Sequence, residues 1–192
     1  MYKSQLILAS SSPRRQALLQ QVNIPFSIQI PTIDETTFST TDNPQEKVEQ
    51  LAILKGEHTP ITRDNEVILS ADTIVSYRGS IFGKPQNKKD AFDMIATLSG
   101  KRHDVYTGVS IRSNQQQFSF VEHTEVEFYP LTDEEITWYV ATTDPYDKAG
   151  AYGIQNLGAI FVKQIIGDYY NVVGLPISRV ARELKRYSIY PT

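Results

Sequence analysis

Leu6-Ile7-Leu8-Ala9-Ser10-Ser11-Ser12-Pro13-Arg14-Arg15-Gln16-Ala17-Leu18-Leu19 reads as a buried strand, a serine-rich turn and a helix start. Ser12 is a good N-cap. Pro13 is a good first helical residue, because the donor it lacks would go unused there. Arg14 and Arg15 then fall in the first helical turn, whose positive dipole end prefers carboxylates. Free N–H groups, serine hydroxyls and two guanidinium groups converge on one spot. That combination suits a polyanion, most simply a polyphosphate. A capped helix with two solvated arginines fits the same stretch equally well.

Outward from this stretch, strands and helices alternate. Phe26–Ile30 has the pattern of a strand ending at Pro31. Asn43-Pro44-Gln45-Glu46 starts a helix with a capping-box carboxylate. Val67–Val75 is a strand, and Lys88–Leu98 is a helix stopped by Ser99-Gly100. Val105–Arg112 and Phe118–Phe128 are two strands joined through Ser113–Gln116. Thr132-Asp133-Glu134-Glu135 caps a helix running to about Ala141. Ala159–Ile166 is a strand and Pro176–Tyr187 a final helix. The order is not a strict βαβ series, so a mixed central sheet flanked by helices is expected.

The bulk properties narrow the function. The chain has 192 residues, enough for one domain with a real core or two small lobes around a cleft. No linker divides it, so 1–192 is expected to be a single domain. The 19 basic and 22 acidic side chains give a net charge of -3, which argues against a general nucleic-acid binder. There is no cysteine, so thiolate chemistry is excluded and a metal would need oxygen or imidazole ligands. The apolar run Leu6–Ala9 is too short for a signal peptide or a membrane span. A cytoplasmic enzyme or binding protein is the expectation.

Several charges stand where a core would not put them. Val48, Leu51 and Ala52 form an apolar helical stripe whose next member is Lys55, which either snorkels to the rim or points into a cleft. Asp72 interrupts the apolar strand Val67–Val75. A buried carboxylate is costly unless paired, hydrogen-bonded or metal-bound, so Asp72 is a site candidate. A strand-end aspartate bonded to backbone amides is the plainer account. Gly83-Lys84-Pro85 presents a lysine in a defined direction, although a simple loop lysine has the same signature. Glu35 lies in the polar run Asp34-Glu35-Thr36-Thr37, as solvated loop acids commonly do. Asp147-Lys148-Ala149-Gly150-Ala151-Tyr152-Gly153-Ile154-Gln155 packs opposite charges beside small residues and suggests a tight turn near a ligand. Asp168–Pro176 reads as an apolar turn with core aromatics. His103 is a candidate ligand or acid/base group. Three histidines without a spaced pair do not suit a zinc site.

Taken in order, these motifs closely resemble the Maf (septum formation) family of nucleoside triphosphate pyrophosphatases. The set comprises Ser10–Arg15, Ala71-Asp72-Thr73-Ile74-Val75, Gly83-Lys84-Pro85, Ser99-Gly100 with His103, Asp147–Gln155 and Gly174-Leu175-Pro176. The resemblance runs from about Leu6 to Tyr187. It implies an inosine triphosphate pyrophosphatase-like α/β fold with a cleft between two lobes. It also implies hydrolysis of a nucleoside triphosphate to monophosphate and pyrophosphate with a divalent cation, Mg²⁺ or Mn²⁺. By the same resemblance Asp72 is the proton acceptor, and Ser10, Arg15, Glu35, Lys55 and Lys84 are polyphosphate and metal contacts. Arg14, Thr73 and Gln155 occupy the three specificity positions and match the branch acting on dTTP and UTP. Gly83 departs mildly from relatives that carry glutamate before the lysine.

The expected chemistry follows. Arg14 or Arg15, Lys55 and Lys84 neutralise a triphosphate, and Glu35 and Asp72 offer oxygen ligands to a hard cation. Water attacks the α-phosphorus in line with departing pyrophosphate. Gln155 offers a donor and an acceptor to a uracil or thymine edge. The expected partner is the nucleotide, with no nucleic acid and no membrane, and a homodimer is left open. The rival is a nucleotide-binding cell-division regulator that does not turn its ligand over.

Overall fold

The computed structural model describes residues 4–33 and 41–192. Seven strands are present among them: β1 (Gln5–Leu8), β2 (Phe26–Ile28), β3 (Glu66–Tyr77), β4 (Ser80–Phe82), β5 (Arg102–Arg112), β6 (Gln117–Phe128) and β7 (Val162–Ile166). They form one sheet in the order β2-β1-β3-β5-β6-β7, with β4 paired to β3. The described α-helices are α1 (Pro13–Gln21), α2 (Pro44–Glu57), α3 (Lys88–Leu98), α4 (Asp133–Val140), α5 (Tyr169–Val173) and α6 (Ile177–Leu184). The expected mixed sheet flanked by helices is therefore found.

The backbone divides into two compact units. The first comprises Met1–Asp72, Thr107–Glu122 and Gly174–Thr192; the second comprises Thr73–Tyr106 and His123–Val173. In the first unit β1 pairs in parallel with β2 (Leu6↔Phe26) and with β3 (Leu6↔Val67). Parallel neighbours need a crossover, and α1 supplies the one between β1 and β2. Leu6, Leu8, Leu18, Leu19, Val48, Ala52, Ile68 and Leu69 are all buried. Gly108 on β5 lets α2 come close, since a Cβ there would lie 2.3 Å from the Val48 carbonyl oxygen.

In the second unit the end of β3 pairs antiparallel with β4 (Val75↔Phe82), and β6 pairs antiparallel with β7 (Glu125↔Ile166). Its core gathers Val75, Ile95, Leu98, Val126, Phe128, Tyr139 and Phe161.

Helix starts show how local chemistry sets the elements. Thr132 and Glu135 form the expected reciprocal capping box at α4. Asn43 caps α2 through the Gln45 and Glu46 amides, but Glu46 accepts from the Thr41 hydroxyl at 3.0 Å instead of closing a box. Ser12 takes the N-cap position of α1, yet its side chain makes no capping hydrogen bond.

Several segments differ from the sequence expectation, among them the unexpected β4 and the start of β5 at Arg102 rather than Val105. The strand expected over Ala159–Ile166 starts at Val162, because Leu157–Phe161 is a 3-10 turn. Ile160 there is 61% exposed, so the apolar run does not mark a buried strand. β2 ends at Ile28, before the polar and proline residues that follow. The last helix runs from Ile177 to Leu184 and then tightens into a 3-10 turn, Lys185–Tyr187. The short α5 forms inside the stretch read as an apolar turn.

Candidate active site

In the first unit, the parallel register sets the site. Leu8 pairs with Leu69, and the Ala9 amide donates to the Leu69 carbonyl at 2.8 Å. Two residues further along each strand stand Ser10 and Ala71, followed by Asp72. The Ser10 hydroxyl accepts from the Ser12 amide and from Arg15 Nη1, each at 3.2 Å. It is Ser10, not Ser12, that organises this turn.

Arg15 is buried, contrary to the picture of two solvated arginines. Its Nη1 donates to the Ala71 carbonyl at 2.7 Å, and its Nε donates to the Gly174 carbonyl at 2.8 Å. One guanidinium thus ties the β1 turn, the middle of β3 and the entry to α6. Gly174 has φ 121, a conformation that suits glycine and points to the Gly-Leu-Pro motif as a structural corner. Arg14, one residue earlier, is half-buried in the first turn of α1.

Lys55 and Asp72 meet. Lys55 Nζ lies 2.5 Å from Asp72 Oδ1, and both side chains are 13% exposed. Lys55 therefore continues the inward stripe of α2 instead of snorkelling away. Asp72 is half-buried, paired to a cation, and still reached by solvent. The backbone-amide account of Asp72 gives way to this ion pair. Ser10, Arg15, Lys55 and Asp72 thus share one end of the parallel strands.

Thr73, Lys84 and Gln155 belong to the second unit. Thr73 is half-buried, and Lys84 and Gln155 are exposed. The loop carrying Lys84 is fixed by its neighbour, since the Gly150 amide donates to the Gly83 carbonyl at 3.0 Å. Gly150 has φ 69 and sits against the Val75 methyls, so the turn foreseen in Asp147–Gln155 is real. Glu35 lies outside the described residues.

His103 is not an exposed acid/base group. It is 1% exposed, with Nε2 2.8 Å from the Tyr152 hydroxyl and its ring edge-on to Phe128. Burial pushes its pKa down to about 4, which keeps it neutral inside the core.

Asp144, which sequence reasoning did not single out, anchors a buried network with Lys148, Tyr139 and Asn156. Its only sequence signal is the i,i+4 spacing to Lys148 in a proline-containing turn, which many surface segments share.

A divalent cation can be weighed against these donors. Among the described residues no three His, Asp or Glu side chains cluster to hold an ion by themselves. A hard cation held mainly by phosphate oxygens needs only one or two protein carboxylates, and Asp72 offers one beside the cationic groups. The donor set suits an ion that arrives with a polyphosphate.

Comparison with known proteins identifies the family and the fold. A family model described as Maf-like protein matches residues 5–187. A dTTP/UTP pyrophosphatase of Bacillus cereus is 48% identical over 184 residues, covering 96% of this chain and 96% of that protein. A dTTP/UTP pyrophosphatase of Bacillus mycoides is 50% identical over 182 residues, 95% of each. A solved HAM1 protein from Coxiella burnetii superposes with a TM-score of 0.52 at 13% identity, covering 95% of this chain and 99% of that one. That last likeness concerns the fold alone.

Proposed function

The chain belongs to the Maf-like protein family, and on that footing we propose that it is a nucleoside triphosphate pyrophosphatase acting on dTTP and UTP. The substrates are those in the names of the two Bacillus relatives. The observation that carries the chemistry is the Lys55–Asp72 pair, set on β3 beside the Ala71 carbonyl that Arg15 braces.

Asp72 is the base in this proposal. It holds a water and takes its proton as the oxygen attacks the α-phosphorus. The bond to the bridging oxygen breaks and pyrophosphate leaves with the electron pair. Lys55 lies in hydrogen-bond contact with Asp72, so it neutralises phosphate charge while steering the carboxylate. Arg14 and Lys84 bind phosphate oxygens, and Ser10 offers its hydroxyl. Arg15 keeps the turn in register from beneath. Asp72 and Glu35 would be the carboxylates that hold a Mg²⁺ or Mn²⁺ arriving with the nucleotide, and the ion would supply Lewis-acid neutralisation of the triphosphate. Gln155 and Thr73 read the pyrimidine, and the 5-methyl group is tolerated.

Three wider expectations belong to the same proposal. Residues 1–192 act as one catalytic domain, because β3, β5 and β6 each run through both units. The enzyme works in the cytoplasm, and no described helix is long and apolar enough to cross a membrane. Nucleic acid is not a partner, in line with the net charge of -3.

The test is direct. Purified protein is incubated with UTP, dTTP, CTP and GTP in Mg²⁺ or Mn²⁺, and products are separated by ion exchange. UMP or dTMP with pyrophosphate is expected. Diphosphate with orthophosphate would place attack at the γ-phosphorus and refute the mechanism. Tight UTP binding without consumption would make the protein a regulator instead.

A further inference from the structure

The second unit holds a buried charged network that the proposed chemistry does not use. Asp144 follows α4, and its side chain is 8% exposed. The carboxylate accepts from the Tyr139 hydroxyl at 2.8 Å, from Asn156 Nδ2 at 3.0 Å and from the Gly158 amide at 3.4 Å. Lys148 Nζ lies 3.2 Å from it and is itself 7% exposed. That ammonium also donates to the Asp144 main-chain oxygen and to Asp147 Oδ1, both at 2.6 Å.

The network grips a turn. Asn156 and Gly158 are held by the carboxylate. At the other end the Lys148 stem lies under Gly153, where a Cβ would stand 2.5 Å from Lys148 Cε. The Asn156 amide closes the turn onto the Gly153 carbonyl at 3.4 Å. Gln155 lies between these two anchorages and is exposed.

A buried ion pair is a weak source of stability, because desolvation consumes most of the Coulombic gain. A fully satisfied network does something else: it fixes one backbone arrangement. We propose that Asp144, with Lys148 beneath Gly153 and Asn156 as its link, is the positioning device that aims Gln155 at the pyrimidine edge. This rests on the reading of Gln155 as the base contact. In this scheme Asp144 touches no substrate. Its removal blunts discrimination between bases while leaving attack at phosphorus intact.

The experiment compares kcat/KM for UTP and for CTP, which presents a different donor and acceptor pattern. Wild type, Gln155→Ala, Asp144→Asn and Asn156→Ala are measured side by side. Asn156 is exposed, so its variant tests the link even if Asp144→Asn folds poorly. The UTP-to-CTP ratio should fall about tenfold in all three variants, the equivalent of about 1.4 kcal/mol of lost discrimination. For Asp144→Asn and Asn156→Ala, whose residues touch no substrate, turnover at saturating UTP should stay within about threefold of wild type, as expected when positioning and not the base is disturbed. A ratio that collapses in Gln155→Ala but holds in both Asp144→Asn and Asn156→Ala overturns the positioning role. A ratio unmoved by Gln155→Ala defeats the base-contact reading itself, and the positioning role with it.

Discussion

Among the described residues each unit contains a shielded lysine–aspartate pair, and these two pairs are built differently. Lys55–Asp72 joins a helix to a strand across 17 positions and leaves both side chains 13% exposed. Lys148–Asp144 is a local i,i+4 pair, only 7% and 8% exposed, with Tyr139, Asn156 and the Gly158 amide also aimed at the carboxylate. Burial alone would raise the Asp144 pKa, but hydrogen bonds from Asn156, Tyr139 and Lys148 outweigh it and hold the carboxyl below its ordinary value. The contrast separates reactivity from rigidity. A carboxylate meant to take a proton must keep access to solvent and ligand. One meant to hold a backbone is enclosed by donors.

The largest effect should fall on the Lys55–Asp72 pair. Asp72→Asn is expected to lower pyrophosphate release by about 10²–10⁴-fold, the usual worth of a general base. Nucleotide binding, followed by calorimetry, should largely survive, because the substituted amide keeps the size of the carboxylate and an acceptor for Lys55. Near-wild-type release would take Asp72 out of the mechanism and erase the functional half of the contrast.

The enclosed pair should answer in stability instead. Lys148→Met strands Asp144 and Asp147 without their cation. Breaking a buried pair from one side costs about 3–5 kcal/mol. A denaturant titration should show that loss, whereas Lys55→Met should cost much less stability and far more activity. Equal stability losses in both variants would break the distinction.

These two pairs were unequally legible in the sequence. Asp72 stood out because it interrupts an apolar strand, and Lys55 because it continues an apolar stripe. Asp144 sits in Thr142-Thr143-Asp144-Pro145, where an acid is ordinary. Its partners lie five residues before it and four, twelve and fourteen after it, so no single period reveals them. Elements with strong punctuation were found to the residue: α3 begins after the Asn87 cap and ends at the expected Ser99-Gly100 stop. Segments whose apolar residues do not face the core misled, as Ile160 did. That Arg15 is buried was not legible, because charge pattern says nothing of the carbonyls of Ala71 and Gly174 that receive it.

A smaller effect concerns the core of the second unit. His103 is held neutral by burial, with its pKa lowered from 6.5 to about 4. Between those values the unfolded chain binds a proton that the folded chain refuses. The resulting stabilisation is complete above pH 6.5 and is lost as pH falls toward 4, a total of about 3 kcal/mol. Replacing His103 by Gln should flatten the acid limb of stability against pH over that window. An unchanged limb would move the acid sensitivity to the carboxylates, of which Asp144 should release its hold only below its own ordinary range.

The smallest effect compares two helix starts. At α4 the Thr132 hydroxyl accepts from the Glu135 amide, and the Glu135 carboxylate accepts in return from the Thr132 amide. Thr132→Ala should therefore cost about 1 kcal/mol. At α1 the Ser12 side chain caps nothing, and the first turn carries Arg14 and Arg15 in place of acids. Ser12→Ala should then leave the melting temperature within about 1 °C, below the roughly 2–4 °C that 1 kcal/mol brings in a chain of this size. The two starts thus differ in whether the N-cap side chain engages a backbone amide, as Thr132 does and Ser12 does not. If Ser12→Ala destabilises as much as Thr132→Ala, the α1 terminus is an ordinary capped end and loses its claim on the triphosphate.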